Sequence, residues 1–245
     1  MLSLDYMKYL LRVRLSWFFF IFFTFFFGMT FVIDPVTFTP QALTLFSVNS
    51  FLYGFYISPI LNGQKTRIEE LNKIIRAEAN ALFDMLLQTK KLPRRSRNIM
   101  QDMFEEYITA SFKERKPAEG EDEYQRLISY VIDYDGKEPE VVGKITDKLI
   151  ANQQNRSQLA MQLGNRVFNN EWWIMLVLFS ITLGFVMFIE VKDNLVMDFV
   201  KALLCTGLTM LMIILVKLST LTHKKAKLIW DPLDRLKASR FRSID

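Results

Sequence analysis

Cysteine and histidine are almost absent: the 245 residues hold one of each, Cys205 and His223. A single cysteine cannot form a disulfide within the chain. A His/Cys zinc site, a c-type haem attachment and a Cys-His nucleophile pair all lack their parts. Carboxylate-only metal sites stay open, but no metal and no cofactor is expected. Glycine is sparse at 9 residues, and neither a glycine-rich phosphate loop nor a nucleophile elbow occurs. The chain is therefore not expected to be an enzyme. There is no internal repeat, and the only low-complexity stretch is a phenylalanine run near the start. The net charge is +5, but the cations cluster beside apolar blocks and do not form one extended basic face, so no nucleic-acid partner is expected.

What is plentiful is apolar sequence, 51% of the residues, gathered into four blocks: 15–33, 42–61, 172–189 and 195–216. At 1.5 Å per residue each helix would cover about 27 to 33 Å, the thickness of a bilayer core. The first block follows Lys8, Arg12 and Arg14 as a signal peptide would. It is too long for a signal core and no small-x-small site follows, so a retained first span is expected. Cations flank the blocks unevenly. Lys8, Arg12 and Arg14 precede the first, Lys65 and Arg67 follow the second, Arg166 precedes the third, and Lys224, Lys225 and Lys227 follow the fourth. The loop 34–41 has no Lys or Arg, and the turn 190–194 has only Lys192. The positive-inside rule then places both termini and the middle segment in the cytoplasm.

The expectation is an all-α membrane protein with four transmembrane helices and a helical cytoplasmic domain inserted between spans 2 and 3. Its parts are a hairpin over 1–61, the cytoplasmic domain over 62–171, a second hairpin over 172–221 and a basic tail over 222–245. In the middle segment Ile68, Leu71, Ile75, Leu82 and Met85 keep three-four spacing, so the second span should continue as one helix to about Thr89 and stop before Pro93. Further helices are expected over 95–112, around Tyr124 to Val131, and from Pro139 to about Asn170, the last running directly into the third span.

Several residues are candidates for chemistry. Eight phenylalanines between Phe18 and Phe27 cover every face of the first helix, and such bulky rings are expected to face acyl chains. Ser180 and Gly184, with Ala202, Thr206 and Gly207, predict close pairing of spans 3 and 4. Asp198, Lys201 and Lys217 lie near the ends of the fourth span and are expected to snorkel. Glu78 occupies the seam between Ile75 and Leu82 and, with Arg76, is a candidate for a buried ion pair. A slight drift of the seam would expose it and bury Ala79. The acidic loop 133–140 has half the pattern of a calcium loop, and a solvated turn is the expectation. Asn49, Ser50, Tyr53 and Tyr56 make the second span more polar than the first, which suits a lumen or a packed bundle better than lipid.

The stretch 40–81, PQALTLFSVNSFLYGFYISPILNGQKTRIEELNKIIRAEANA, resembles the bestrophins, and more closely the bestrophin-like family of bacterial membrane proteins. Pro40 opens the second span, and Phe51, Leu52, Gly54 and Phe55 are similar to that family's Phe-Leu-Gly-Phe segment. Arg76, Glu78 and Ala79, then Leu92, Pro93, Arg97 and Tyr107, resemble its cytoplasmic pattern, and Asp231, Pro232, Leu233 and Asp234 a proline-aspartate segment after the last span. Where bestrophins carry Trp-Glu-x-Arg, this chain has Ile57, Ser58, Pro59 and Ile60. The resemblance implies a homo-oligomer, pentameric, in a bacterial inner membrane, passing small anions along an axis lined by the second span. Phe51 and Phe55, one turn apart, would form the apolar neck, and Asn49 and Tyr56 are candidate polar lining residues. Ordinary packing is the alternative for each. The alternative function is a non-conducting membrane adaptor whose cytoplasmic helices bind a soluble protein.

Overall fold

The computed structural model describes residues 13–113, 120–165, 167, 169–190, 195–222 and 228–238. The flanking cations Lys8, Arg12, Arg166, Lys192, Lys224, Lys225 and Lys227, like His223, lie outside them. The described residues are helical apart from turns and one isolated parallel bridge, Val36 to Ile189. In chain order the helices are α1 (Leu15–Met29), α2 (Pro40–Thr89), α3 (Arg94–Lys113), α4 (Glu121–Ile132), α5 (Pro139–Gly164), α6 (Asn169–Phe188), α7 (Leu195–Ser219) and α8 (Asp231–Ala238), the last entered through a 3-10 turn at Leu228–Trp230. Three of them, α2, α6 and α7, are long and apolar enough to cross a membrane, and α1 is a shorter apolar helix.

The chain divides into two compact units, residues 1–66 with 166–226, and residues 67–165 with 227–245. The helix α2 is continuous through 50 residues. Nothing interrupts its three-four spacing until the turn at Lys90 and Lys91, whose N–H groups bond back to Leu87 and Gln88 before Pro93. Pro59 lies inside the helix. A proline there removes one backbone donor, which membrane helices tolerate.

In the first unit α7 packs against α1 and α6. Phe26 sits against Ala202, Cys205, Val186 and Met187, with Phe22, Phe23 and Phe27 alongside. The phenylalanine run is thus not wholly turned to lipid. Ala202 and Cys205, both fully buried, give rings on α1 a shallow surface to rest on, which is how small residues promote helix contact. The close approach expected at Gly184 and Gly207 is absent, because a Cβ added at either would touch nothing within 4 Å. On the other side Tyr53 and Ile57 of α2 pack with Met175 of α6 and Leu215 of α7. The loop after α1 is held by Val36, which exchanges hydrogen bonds with Phe188 and Glu190, and by the Thr37 hydroxyl, which donates to the Glu190 carboxylate.

Lys217 does not snorkel. It is 3% exposed, donates from Nζ to the Val13 carbonyl at 2.6 Å, and lies 5.1 Å from the centroid of the Phe18 ring. A carbonyl and a ring face at the start of α1 supply what water would have supplied. Lys201 is also buried, at 9% exposed.

In the second unit Leu71, Ile75, Leu82 and Met85 of α2 are fully buried with Met100, Phe104 and Ile108 of α3, Leu127 of α4, and Ile145 and Leu149 of α5. The expected continuous helix from Pro139 into the third span is instead two helices. α5 stops at Gly164 with Asn165 as its cap, the residue types that favour helix ends. Arg67, itself buried, secures that end by donating from Nε to the Gln162 carbonyl at 2.7 Å and from Nη2 to the Leu163 carbonyl at 3.0 Å. The C-terminal helix α8 packs on α3, with Ile229, Trp230, Leu233 and Leu236 buried.

Candidate functional site

Two places gather the candidate residues, one on α2 in the first unit and one inside the second. On α2, Phe51 and Phe55 are 70% and 71% exposed. Their rings stack with centroids 6.0 Å apart. The same face carries Thr44, Val48, Ser58 and Asn62, all exposed, as three-four spacing along a helix requires. The hydroxyl of Thr44 is satisfied by the Pro40 carbonyl, and that of Ser47, a further exposed residue, by the Leu43 carbonyl. The outward face of α2 is therefore mixed, apolar rings among small polar groups, whereas the exposed residues of α1 include Trp17, Phe20, Ile21 and Phe25.

Asn49 and Tyr56 do not share that face. The Asn49 amide donates to the Leu178 carbonyl at 3.1 Å and to the Thr182 hydroxyl at 2.8 Å, both on α6. Tyr56 packs at the margin of the cluster around Tyr53 and Met175. Tyr53 is buried with its hydroxyl unpartnered, as is the Ser50 hydroxyl oxygen. Asn49, Ser50, Tyr53 and Tyr56 are thus turned toward the helix bundle of one chain, and the two rings point out of it.

In the second unit Glu78 lies at the seam, 0% exposed. Arg76 is exposed, and the guanidinium near Glu78 comes from Arg156 of α5. Four helices meet here. Tyr107 of α3 donates its hydroxyl to Glu78 Oε1 at 2.5 Å. Arg156, 4% exposed, lies 4.0 Å from the ring centroid of Tyr124 on α4 and 5.0 Å from that of Tyr107. Its Nη2 pairs with Glu121 Oε2 at 2.7 Å, while among the described residues Nε, Nη1 and the second oxygen of Glu78 have no hydrogen-bond partner. Tyr124 donates to the Leu149 carbonyl at 2.7 Å, and Asn152 reaches the Tyr124 oxygen at 3.4 Å.

Burial raises the Glu78 carboxyl above its ordinary value, against the opposing pull of the Tyr107 hydroxyl, the Arg156 charge and the Asn152 amide. Burial, then the Glu78 charge, raises Tyr107 as well, and burial pushes Tyr124 up to about 12. Asn152 and Arg156 could have been found from sequence. Val142, Ile145, Leu149, Asn152, Arg156 and Leu159 are the buried positions of α5, one three-four series in which two members are polar. A polar residue on an apolar stripe asks for a buried partner.

The acidic loop places Tyr134 against Ser96, with the two hydroxyl oxygens 3.2 Å apart, and holds Glu138 in the left-handed region at φ 72°. Among the described residues no three His, Cys, Asp or Glu side chains converge on a metal position.

A family model described as Bestrophin-like domain matches residues 12–223. No curated protein and no solved structure matches the chain.

Proposed function

The chain belongs to the bestrophin-like family, and from that premise we propose that it is a homo-oligomeric membrane channel for small anions, with four spans and a cytoplasmic helical domain. The observation that carries the reading is the exposed face of α2, where Phe51 and Phe55 stand stacked among Thr44, Ser58 and Asn62. Lipid has no use for hydroxyl and amide groups on such a face, and a water-filled axis closed by aromatic rings does. Burial within one chain supports it too: 11% of the apolar window of α2 is buried, against 33% for α7. Further copies are the natural cover for so bare a helix. In the assembly Phe51 and Phe55 form the neck, while Asn49 fixes α2 to α6 behind it. The fourth span is α1 extended by the hydrogen-bonded turn Thr30–Ile33, and the second unit lies in the cytoplasm.

The test is the mass of the detergent-purified protein together with anion efflux from vesicles that contain it. A multi-copy particle that releases chloride or nitrate supports the channel. A monomer rejects it, and an oligomer that leaves the vesicles sealed transfers the protein to the adaptor reading.

A further inference from the structure

We propose that Glu78 is a proton-binding site inside the second unit, and that its occupancy decides whether Arg156 stays paired with Glu121 or turns inward. The present arrangement suits the neutral acid. Among the described residues Glu78 accepts a hydrogen bond at Oε1 from Tyr107, and its other oxygen has no partner at hydrogen-bond distance. Arg156 meanwhile sends Nη2 to Glu121 and leaves Nε and Nη1 idle. A carboxylate wholly removed from water is costly without a paired cation. Loss of its proton to solvent therefore creates, within the same cluster, a charge and an acceptor for donors that are already there.

The path is short. The guanidinium lies 5.0 Å from the centroid of the ring whose hydroxyl binds Glu78, and the faces of Tyr107 and Tyr124 stabilise the cation on the way. The groups around Glu78 are Tyr107 from α3, Tyr124 from α4, and Asn152 and Arg156 from α5, with Glu121 of α4 on the far side of Arg156 as its ion-pair partner. Neither tyrosine can take the proton's place near neutrality, because both hydroxyls are held above their ordinary value. Once Arg156 turns to Glu78, Glu121 loses its described ion-pair partner and keeps only the Gln125 amide at 3.5 Å. Glu121 opens α4, and the cap residue Gly120 contributes no side-chain hydrogen bond, so the first turn of α4 loosens.

The sign follows from the direction of the shift. A carboxyl raised by folding binds its proton more tightly folded than unfolded, so stability is fully present below the ordinary carboxylate value and falls as pH rises toward the folded one.

The experiment is amide hydrogen exchange on the full chain in detergent between about pH 5 and 9, corrected for intrinsic rates. Protection across the first turn of α4 should fall several-fold as pH rises. Glu78→Gln, which keeps the shape and the acceptor for Tyr107, should stay protected throughout. Tyr107→Phe should move the fall to higher pH, because the hydroxyl bond favours the ionised carboxylate. A flat wild-type profile overturns the proposal, as does a Glu78→Gln variant with the wild-type fall. If that variant does not fold, an unshifted midpoint in Tyr107→Phe overturns it equally.

Discussion

Phe51 and Phe55 differ from buried aromatics in one measurable respect, which is that neither ring is covered by its own chain. Truncating a packed ring costs about 3–5 kcal/mol through the cavity it leaves, whereas truncating an exposed one leaves no cavity. Phe51→Ala with Phe55→Ala should therefore keep the mass of the particle and raise anion efflux, because the collar that water enters reluctantly is gone. A dissociated, silent double variant would show that the rings are subunit contacts. That the two rings share one face was legible in the sequence from their spacing; that their own chain leaves this face bare was not. The role of Asn49 was less so: polarity alone separates a span from lipid but does not say which face carries the polar group. Glu78 was half legible. Its seam position was plain, but its cation was not, since the residue beside it in sequence, Arg76, shares no face with it. The arginine that reaches the site is far along the chain, on a helix whose stripe runs through polar positions 152 and 156.

At the scale of elements, the tie between α1 and α7 depends on rings over small residues and on one lysine. Lys217 stands in the last turn of α7, where a cation also suits the helix dipole, and its bond to the Val13 carbonyl holds the start of α1. Lys217→Met keeps most of the volume and removes the donor. It should lower thermal stability in detergent by about 1.5–3 kcal/mol, the usual worth of a hydrogen bond to a charged group. Lys217→Arg should recover part of that. An unchanged melting temperature in Lys217→Met would mean that the ring contacts alone secure α1. Sequence showed most of the helices, because apolar blocks and prolines mark where they begin and end, but it missed the stop at Gly164 that separates α5 from α6. Partner choice was harder. Small residues on α6 and α7 suggested that the two pair, and they do pack, but neither Gly184 nor Gly207 is closely approached, and rings of α1 share the surface of α7 at Ala202 and Cys205. Composition tells which faces permit close packing, and only the assembled shapes tell which partner takes them.

For the whole molecule the prediction concerns the side of the membrane on which each loop lies, and it rests on the charges beside the apolar blocks. Lys65 and Arg67 follow the apolar part of α2, and no Lys or Arg lies between Asp34 and Gln41. An uneven distribution of cations fixes orientation during insertion, because translocating Lys and Arg in short loops is disfavoured. The loop after α1 should therefore lie outside the cytoplasm and the second unit within it. Cys205 is fully buried, so the native chain offers a low background for thiol labelling. Asp34 and Asp135 are both exposed, and a cysteine at either is open to reagent. In intact cells a membrane-impermeant maleimide should label Asp34→Cys and leave Asp135→Cys unlabelled until the membrane is opened. Labelling of both in intact cells would place the two loops on one side and remove α2 as a span. Labelling of Asp135→Cys alone would keep the span but invert the protein, leaving its cationic flanks on the side where they are least favoured.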